Sequence, residues 1–157
     1  CETKGLNYKS IYAFEPNAKN YRKLNVNTES LHDITTFNAC AWNVDGELRF
    51  TKNEGRMSKA SASGEVVIPS MVVDNAVKEQ ATLIKFDVEG SEKEAIEGCA
   101  RQISGGANVV CALYHRNEDM FAIPLQIMAL NPNCKIYVRH QLYIPAWETN
   151  LYVVSDK

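Results

Sequence analysis

The sequence predicts an α/β domain with a mostly parallel sheet and helices on both faces. Short apolar segments alternate with amphipathic segments along the 157 residues, as they do where strands are joined by helical crossovers. Two apolar segments end in carboxylates: residues 11–14 run into Glu15, and residues 83–86 run into Asp87 and Glu89. Acids at such strand ends lie where parallel α/β sheets bind their ligands.

The first part of the chain predicts a strand, a helix, a second strand and a turn. Residues 10–15 favour a strand, and Asn17 is a good cap for the helix that follows. Residues 34–41 also favour a strand. The Asp45-Gly46 turn then predicts either a hairpin with the β-biased segment after it or an extension of the strand.

The middle of the chain contains a loop, a strand and a short helical turn. Residues 53–64 are rich in Gly, Ser, Ala and Lys, which predicts a loop. Residues 66–73 favour a strand, but Pro69 cannot donate to a ladder, so we expect either an edge strand or two short extended pieces. Residues 74–79 favour a helical turn.

The second half predicts strands and helices in alternation and ends in two strands that we expect to be antiparallel. Ser91 is a good N-cap for the first of the helices. The expected elements are a strand at 83–87, a helix at 91–103, a strand at 108–113, a helix at 119–130, and strands at 135–139 and 150–154.

Composition indicates one soluble globular domain spanning 1–157, because 45% of residues are hydrophobic and 23% are charged. The net charge of −2 favours neither a nucleic acid nor an anionic membrane as partner. No apolar run is long enough to span a bilayer. The five cysteines have no C-x-x-C spacing, so we expect reduced thiols, a cytoplasmic protein and no metal site.

Two strings resemble motifs of the FkbM-type methyltransferases. They are Ile-Tyr-Ala-Phe-Glu-Pro-Asn at 11–17 and Leu-Ile-Lys-Phe-Asp-Val-Glu-Gly-Ser-Glu at 83–92. The resemblance extends over nearly the whole chain. It implies a Rossmann-like class I methyltransferase fold, a three-layer sandwich with a mostly parallel sheet, and S-adenosylmethionine as the cofactor.

One feature departs from that resemblance. Class I methyltransferases carry a first strand and a glycine-rich turn upstream of the strand that ends in Glu15, and residues 1–9 contain a single glycine. We therefore expect an N-terminally truncated domain, the carboxyl portion of a longer protein, that lacks the first strand and binds cofactor weakly. Exposed sheet edges would then favour a homo-oligomer.

Glu15 is the first expected cofactor ligand, because a carboxylate after a strand can accept hydrogen bonds from both ribose hydroxyls. Its alternative role is to favour the N-terminus of the next helix. The resemblance adds Pro16 beside it, Asn38 and Ala39 at the adenine, and Asp87 near the methyl donor.

The resemblance also implies that Asp87 and Glu89 lie beside the methyl donor and the acceptor hydroxyl. His115, just past the next strand, is the best general-base candidate by side-chain chemistry. It could equally be a histidine of a loop or of the core edge. Together with Asp87 and Glu89 it forms the expected catalytic set.

The expected function is S-adenosylmethionine-dependent O-methylation of a sugar, a polyketide or another small metabolite, with no nucleic-acid or membrane partner. One alternative is an oxidoreductase that uses a nicotinamide dinucleotide, since such enzymes also place an acid after the second strand. A non-catalytic Rossmann-like domain is the other. The Asp-Val-Glu-Gly junction at 87–90 favours the methyltransferase over the oxidoreductase.

Overall fold

The computed structural model describes residues 7–50, 66–141 and 148–156. In these ranges the strands are β1 Ile11–Phe14, β2 Ile34–Phe37, β3 Cys40–Trp42, β4 Gly46–Phe50, β5 Val66–Val72, β6 Leu83–Phe86, β7 Asn108–Ala112, β8 Lys135–His140 and β9 Thr149–Val154. The helices are α1 Ala18–Thr28, α2 Val73–Ala76, α3 Glu92–Glu97, α4 Ala100–Ser104 and α5 Asp119–Leu130. The loop expected at 53–64 lies wholly outside the described residues, as do residues 1–6.

The capped first helix is confirmed. The Asn17 side chain accepts hydrogen bonds from the backbone N–H groups of Lys19 and Asn20, which satisfies two of the free donors at the helix start. Helix α5 has the bounds that the sequence predicts.

The single helix expected at 91–103 is wrong, because the chain forms α3 and α4 there. They are separated near Gly98, where the Trp42 carbonyl occupies the position that a Cβ atom would need. Ser91 stands at the N-cap of α3, but its side chain makes no capping hydrogen bond.

The described strands form three sheets, and the expectation of a mostly parallel sheet is wrong. The strand orders are β1-β2, β3-β5-β4 and β6-β7-β9-β8. Three pairs are parallel, β1 with β2, β3 with β5 and β6 with β7, and the other three are antiparallel. The three-stranded and four-stranded sheets are mixed because β4 and β9 are antiparallel to their neighbours. The antiparallel final pair, β8 and β9, is confirmed.

Strand β5 occupies the centre of its sheet, which corrects two expectations. β3 and β4 do not pair as a hairpin across the Asp45-Gly46 turn, because β5 lies between them. Pro69 is not on an edge strand. It lies opposite Glu47 of β4, and pairing with β3 begins only at the next residue, Ser70. A proline is tolerated there because only one strand flanks it.

The hydrophobic core lies between the four-stranded sheet and helices α3, α4 and α5. Burial of each large aliphatic side chain contributes about 1.5–3 kcal/mol. This packing fixes the ends of β6 and β7, which carry the acids and the histidine predicted from the sequence. The largest fully buried aliphatic residues are Ile96, Ile103, Ile123, Ile127 and Leu151.

Within the described residues, no helix is long and apolar enough to cross a membrane.

Candidate functional site

Strands β6 and β7 bring Asp87 and His115 to the same sheet edge. The two strands are parallel, with Phe86 opposite Cys111, so the residues that follow them leave the sheet side by side. The Tyr114 hydroxyl donates a hydrogen bond to Asp87 Oδ1 at 3.1 Å. This hydrogen bond links the residues that follow β6 and β7 at the carboxyl edge of the sheet.

The turn after β6 has an unusual backbone that positions Glu89. Glu89 has a φ of 53° and Gly90 a φ of 93°, both in the left-handed region that residues with a side chain rarely adopt. A Cβ atom on Gly90 would lie 3.3 Å from Arg116 Nε. The turn at Gly90 therefore packs closely against the segment after β7. Glu89 Oε2 lies 3.6 Å from His115 Nε2.

His115 is held by three carboxylates. Its Nδ1 lies 2.6 Å from Glu92 Oε1, and its Nε2 lies 3.7 Å from Asp87 Oδ1. The imidazole side chain is 7% exposed. Burial on its own lowers the pKa of His115, but the Glu92 hydrogen bond and the charges of Glu92, Glu89 and Asp87 outweigh it and raise the pKa above 6.5. Glu92 thus orients the imidazole through Nδ1, while Nε2 faces the carboxylates of Asp87 and Glu89.

Both carboxylate oxygens of Asp87 have hydrogen-bond partners. Lys85 Nζ lies 2.8 Å from its Oδ2, while Tyr114 binds its Oδ1. Burial raises the pKa of Asp87, but the Lys85 hydrogen bond and charge, the Tyr114 hydroxyl and the His115 charge together bring it below its ordinary value. Asp87 is therefore a fixed negative charge, and a weaker base than His115.

The acid after β1 lies in a second group of residues. Glu15 Oε1 accepts a hydrogen bond from the N–H of Asn17 at 2.7 Å, so it contributes to the start of α1, the alternative role noted for it. Asn38 Nδ2 donates to the carbonyls of Glu15 and Pro16 at 2.8 and 3.1 Å. Ala39 is buried beside it. These bonds lock the ends of β1 and β2 together.

A cavity of about 430 Å³ opens next to this second group. Its volume falls in the range of small-molecule sites. Pro16 and Asn38, two of the expected cofactor ligands, are part of its wall. The lining residues are Pro16, Asn17, Ala18, Lys19, Asn38, Val66, Val67, Ile68 and Pro69.

The structure thus collects the expected site residues into two groups. One holds Asp87, Glu89 and His115, and the other holds Glu15, Pro16, Asn38 and Ala39. No hydrogen bond or ion pair recorded among the described residues joins the two groups. β1 and β6 also belong to different sheets, although we expect Glu15 and Asp87 to share one.

Sequence reasoning misses two partners of the histidine group, Glu92 and Tyr114. Glu92 looks like an ordinary acid in the first turn of a helix, where acids are favourable anyway. The sequence feature that could have identified Glu92 as a site residue was its position five residues after Asp87. His32 and His140 lie elsewhere, bonded to Asp33 and Thr149. Across the described ranges, no group of three or more His, Cys, Asp or Glu could hold a metal ion.

The fold and this sheet-edge site define an α/β methyltransferase-like domain. The family model described as the methyltransferase FkbM domain matches residues 1–135. The chain belongs to the FkbM methyltransferase family. This membership confirms the resemblance and favours a methyltransferase over the oxidoreductase alternative.

Solved structures agree with this assignment. Methyltransferase FkbM from Methylobacillus flagellatus KT is 25% identical with a TM-score of 0.77, over 97% of this chain and 38% of that one. An rRNA methylase from Streptococcus thermophilus is 14% identical with a TM-score of 0.58, over 94% of this chain and 74% of that one. The second likeness concerns the fold alone. The chain therefore spans well under half of the FkbM relative. A comparison with curated proteins gave no match.

Proposed function

We propose that the protein is an S-adenosylmethionine-dependent methyltransferase that methylates a hydroxyl group on a small molecule such as a sugar or a polyketide. The observation that carries the proposal is the arrangement of His115. A buried carboxylate binds its Nδ1 at 2.6 Å, and its Nε2 faces Asp87 and Glu89 at the carboxyl edge of β6 and β7. That edge is where α/β folds of this kind carry out their chemistry.

The cavity beside α1 fits the adenosine part of the cofactor. Pro16 offers an apolar surface to an adenine, and Asn38 lies in the same wall of the cavity. Glu15 stands directly before Pro16, where its carboxylate can accept hydrogen bonds from two ribose hydroxyls. Its present bond to the Asn17 N–H uses only Oε1, and a carboxylate accepts several.

When bound, the cofactor would supply a methyl group on a sulfonium, whose methyl carbon is open to in-line attack by the acceptor oxygen with the neutral thioether as leaving group. The protein's residues therefore mainly align the reactants and remove a proton. We assign proton removal to His115 Nε2, which takes the hydroxyl proton as the new bond forms. Asp87 keeps its negative charge and lies close enough to favour a cationic donor, while Glu89 orients the acceptor hydroxyl.

The charges at the site favour a neutral acceptor. Asp87, Glu89 and Glu92 all face His115, and Lys85 is already paired with Asp87. A phosphate group brought to this edge would meet carboxylates at close range, which is unfavourable. A polyhydroxylated or polyketide-like acceptor has no such penalty.

Calorimetric titration with S-adenosylmethionine tests the donor site. Glu15→Ala should weaken binding about 10- to 150-fold, because a charge-assisted hydrogen bond contributes about 1.5–3 kcal/mol. Glu29→Ala is the matched control: Glu29 is an exposed acid at the other end of α1, and its loss should leave affinity unchanged. Equal affinity in the Glu15→Ala and Glu29→Ala variants would contradict the role of Glu15.

Transfer of a labelled methyl group to a panel of sugars and polyketides tests the activity itself. Asp87→Ala should abolish turnover while changing cofactor affinity less than Glu15→Ala does, since Asp87 stands at the transferred methyl group. Equal loss of binding in both variants would contradict this division of roles. Tight cofactor binding with no transfer to any acceptor would favour the non-catalytic domain.

A further inference from the structure

Two buried carboxyl groups, those of Glu92 and Asp119, lie behind His115. Glu92 belongs to α3 and Asp119 to α5, and each residue is 1% exposed. Each also has one oxygen, Glu92 Oε2 and Asp119 Oδ2, that is buried without a hydrogen-bond partner. A buried polar atom without a partner costs about 1–3 kcal/mol. Two such atoms on interacting residues require an explanation.

The two carboxyl groups interact through their charges. Burial and the nearby Glu92 carboxylate raise the pKa of Asp119 above its ordinary value, and Glu118 adds to this, while Arg116 opposes it. Repulsion between two buried carboxylates favours the protonated form of one of them. Asp119 is the group that the environment favours in the protonated form.

Glu92 differs from Asp119 in its hydrogen bonds, because donors face its other oxygen. Glu92 Oε1 accepts from the Val88 N–H at 3.0 Å and lies 2.6 Å from His115 Nδ1. The Val88 bond fixes the carboxylate relative to the turn that carries Asp87 and Glu89. Glu92 thus connects the catalytic turn to the histidine.

We propose that Glu92 and Asp119 form a positioning pair in which Asp119 keeps its proton and leaves Glu92 as the anion that fixes His115. The inference rests on the proposed function for its catalytic meaning. His115 then carries its own proton on Nδ1, facing Glu92, and presents Nε2 as the free base. The arrangement parallels an acid that orients a catalytic histidine.

The proton balance of the step is complete. The hydroxyl proton moves to His115 Nε2 as the oxygen–methyl bond forms and the sulfur–methyl bond breaks. The imidazolium that results lies between Glu92 on one side and Asp87 and Glu89 on the other. It then releases the proton to water. Asp119 keeps its proton throughout, so the pair positions the base and does not relay a proton.

Nuclear magnetic resonance of isotopically labelled histidine tests the pair without cofactor or acceptor. In the wild type, His115 should titrate above 6.5, and its neutral form should carry the proton on Nδ1. Glu92→Gln should lower the pKa of His115 by about one unit or more, because it removes the nearest opposite charge. The groups that also face His115, Asp87, Glu89 and Tyr114, remain in this variant.

Two variants serve as comparisons. Asp119→Asn should leave the titration of His115 nearly unchanged, because an amide N–H replaces the carboxyl O–H without adding charge. Glu97→Gln, at an exposed position of the same helix as Glu92, should also have no effect. An unchanged His115 in Glu92→Gln, or a decrease in Asp119→Asn as large as in Glu92→Gln, would overturn the proposal.

Infrared spectroscopy tests the proton directly and does not depend on the Glu92 variant folding. The difference spectrum between wild type and Asp119→Asn at neutral pH should contain the C=O stretch of a protonated carboxyl group. Its absence would show that Asp119 holds no proton and would overturn the proposal. If both measurements agree with the pair but no acceptor is methylated, the proposed function fails and the positioning pair does not.

Discussion

Replacing Gln102 with leucine should destabilise the protein far more than a glutamine substitution usually does. Gln102 is fully buried in α4. Its Nε2 donates to the carbonyls of Val77 and Glu79 at 3.1 and 2.8 Å, and its Oε1 accepts from the Ala81 N–H at 2.6 Å. One side chain thus satisfies three backbone groups of the segment that leads into β6.

The magnitude follows from these bonds. Each contributes about 0.5–1.5 kcal/mol net, and a buried group left unpaired costs about 1–3 kcal/mol. The Val77 carbonyl keeps a second donor, Arg101 Nη2 at 2.6 Å, so its loss is the smallest. Leucine has a similar volume and recovers some free energy by burial. We expect a net loss of about 3 kcal/mol, or about 6–12 °C in Tm for a domain of this size.

Urea unfolding followed by circular dichroism measures this change. Gln126→Leu is the matched control, because Gln126 makes one backbone bond, to the Lys93 carbonyl at 2.9 Å, and should cost no more than about 1 kcal/mol. If Gln102→Leu costs no more than Gln126→Leu, the idea that Gln102 anchors the segment before β6 is wrong. A change in the urea m-value would indicate instead that the variant alters compactness.

The remaining predictions concern the site. Gly90→Ala should cost about 1–2 kcal/mol through its left-handed backbone and reduce methyl transfer, because the new Cβ meets Arg116. Gly106 has a similar φ of 90°, but a Cβ atom there would lie 3.9 Å from its nearest neighbour, an atom of Ser155. Gly106→Ala should therefore lower the free energy of unfolding in urea as much as Gly90→Ala does, but leave methyl transfer unchanged. Because the pKa of His115 is raised in the folded state, its stabilising contribution is complete below pH 6.5 and lost as pH rises through the folded value. The stability difference between wild type and His115→Gln should therefore shrink as pH rises, and a constant difference would contradict the raised pKa.

Local sequence signals predicted the elements but not how the strands assemble. Apolar runs and caps located β1, β6, β7 and α5, because each is determined by its own residues. The position of β5 could not be predicted, since Pro69 is acceptable in a central strand only when β3 begins one residue later. That register is a property of three strands together, and no segment alone contains it.

The group of Asp87, Glu89 and His115 could likewise be predicted only in part. Asp87, Glu89 and His115 follow strands, so parallel β6 and β7 were enough to predict their proximity. Glu92 could not be distinguished from an ordinary helix-start acid until the turn with a left-handed Glu89 and Gly90 placed it against His115. The separation of β1 from the sheet of β6 was also unpredictable from the residues of either strand.

A crystal structure with S-adenosylhomocysteine tests the central claim most directly. We predict the ribose on Glu15, the adenine in the cavity beside Pro16 and Asn38, and the sulfur directed toward Asp87 and His115. A ligand bound elsewhere, or a sulfur directed away from the β6–β7 edge, would contradict the proposed cofactor site.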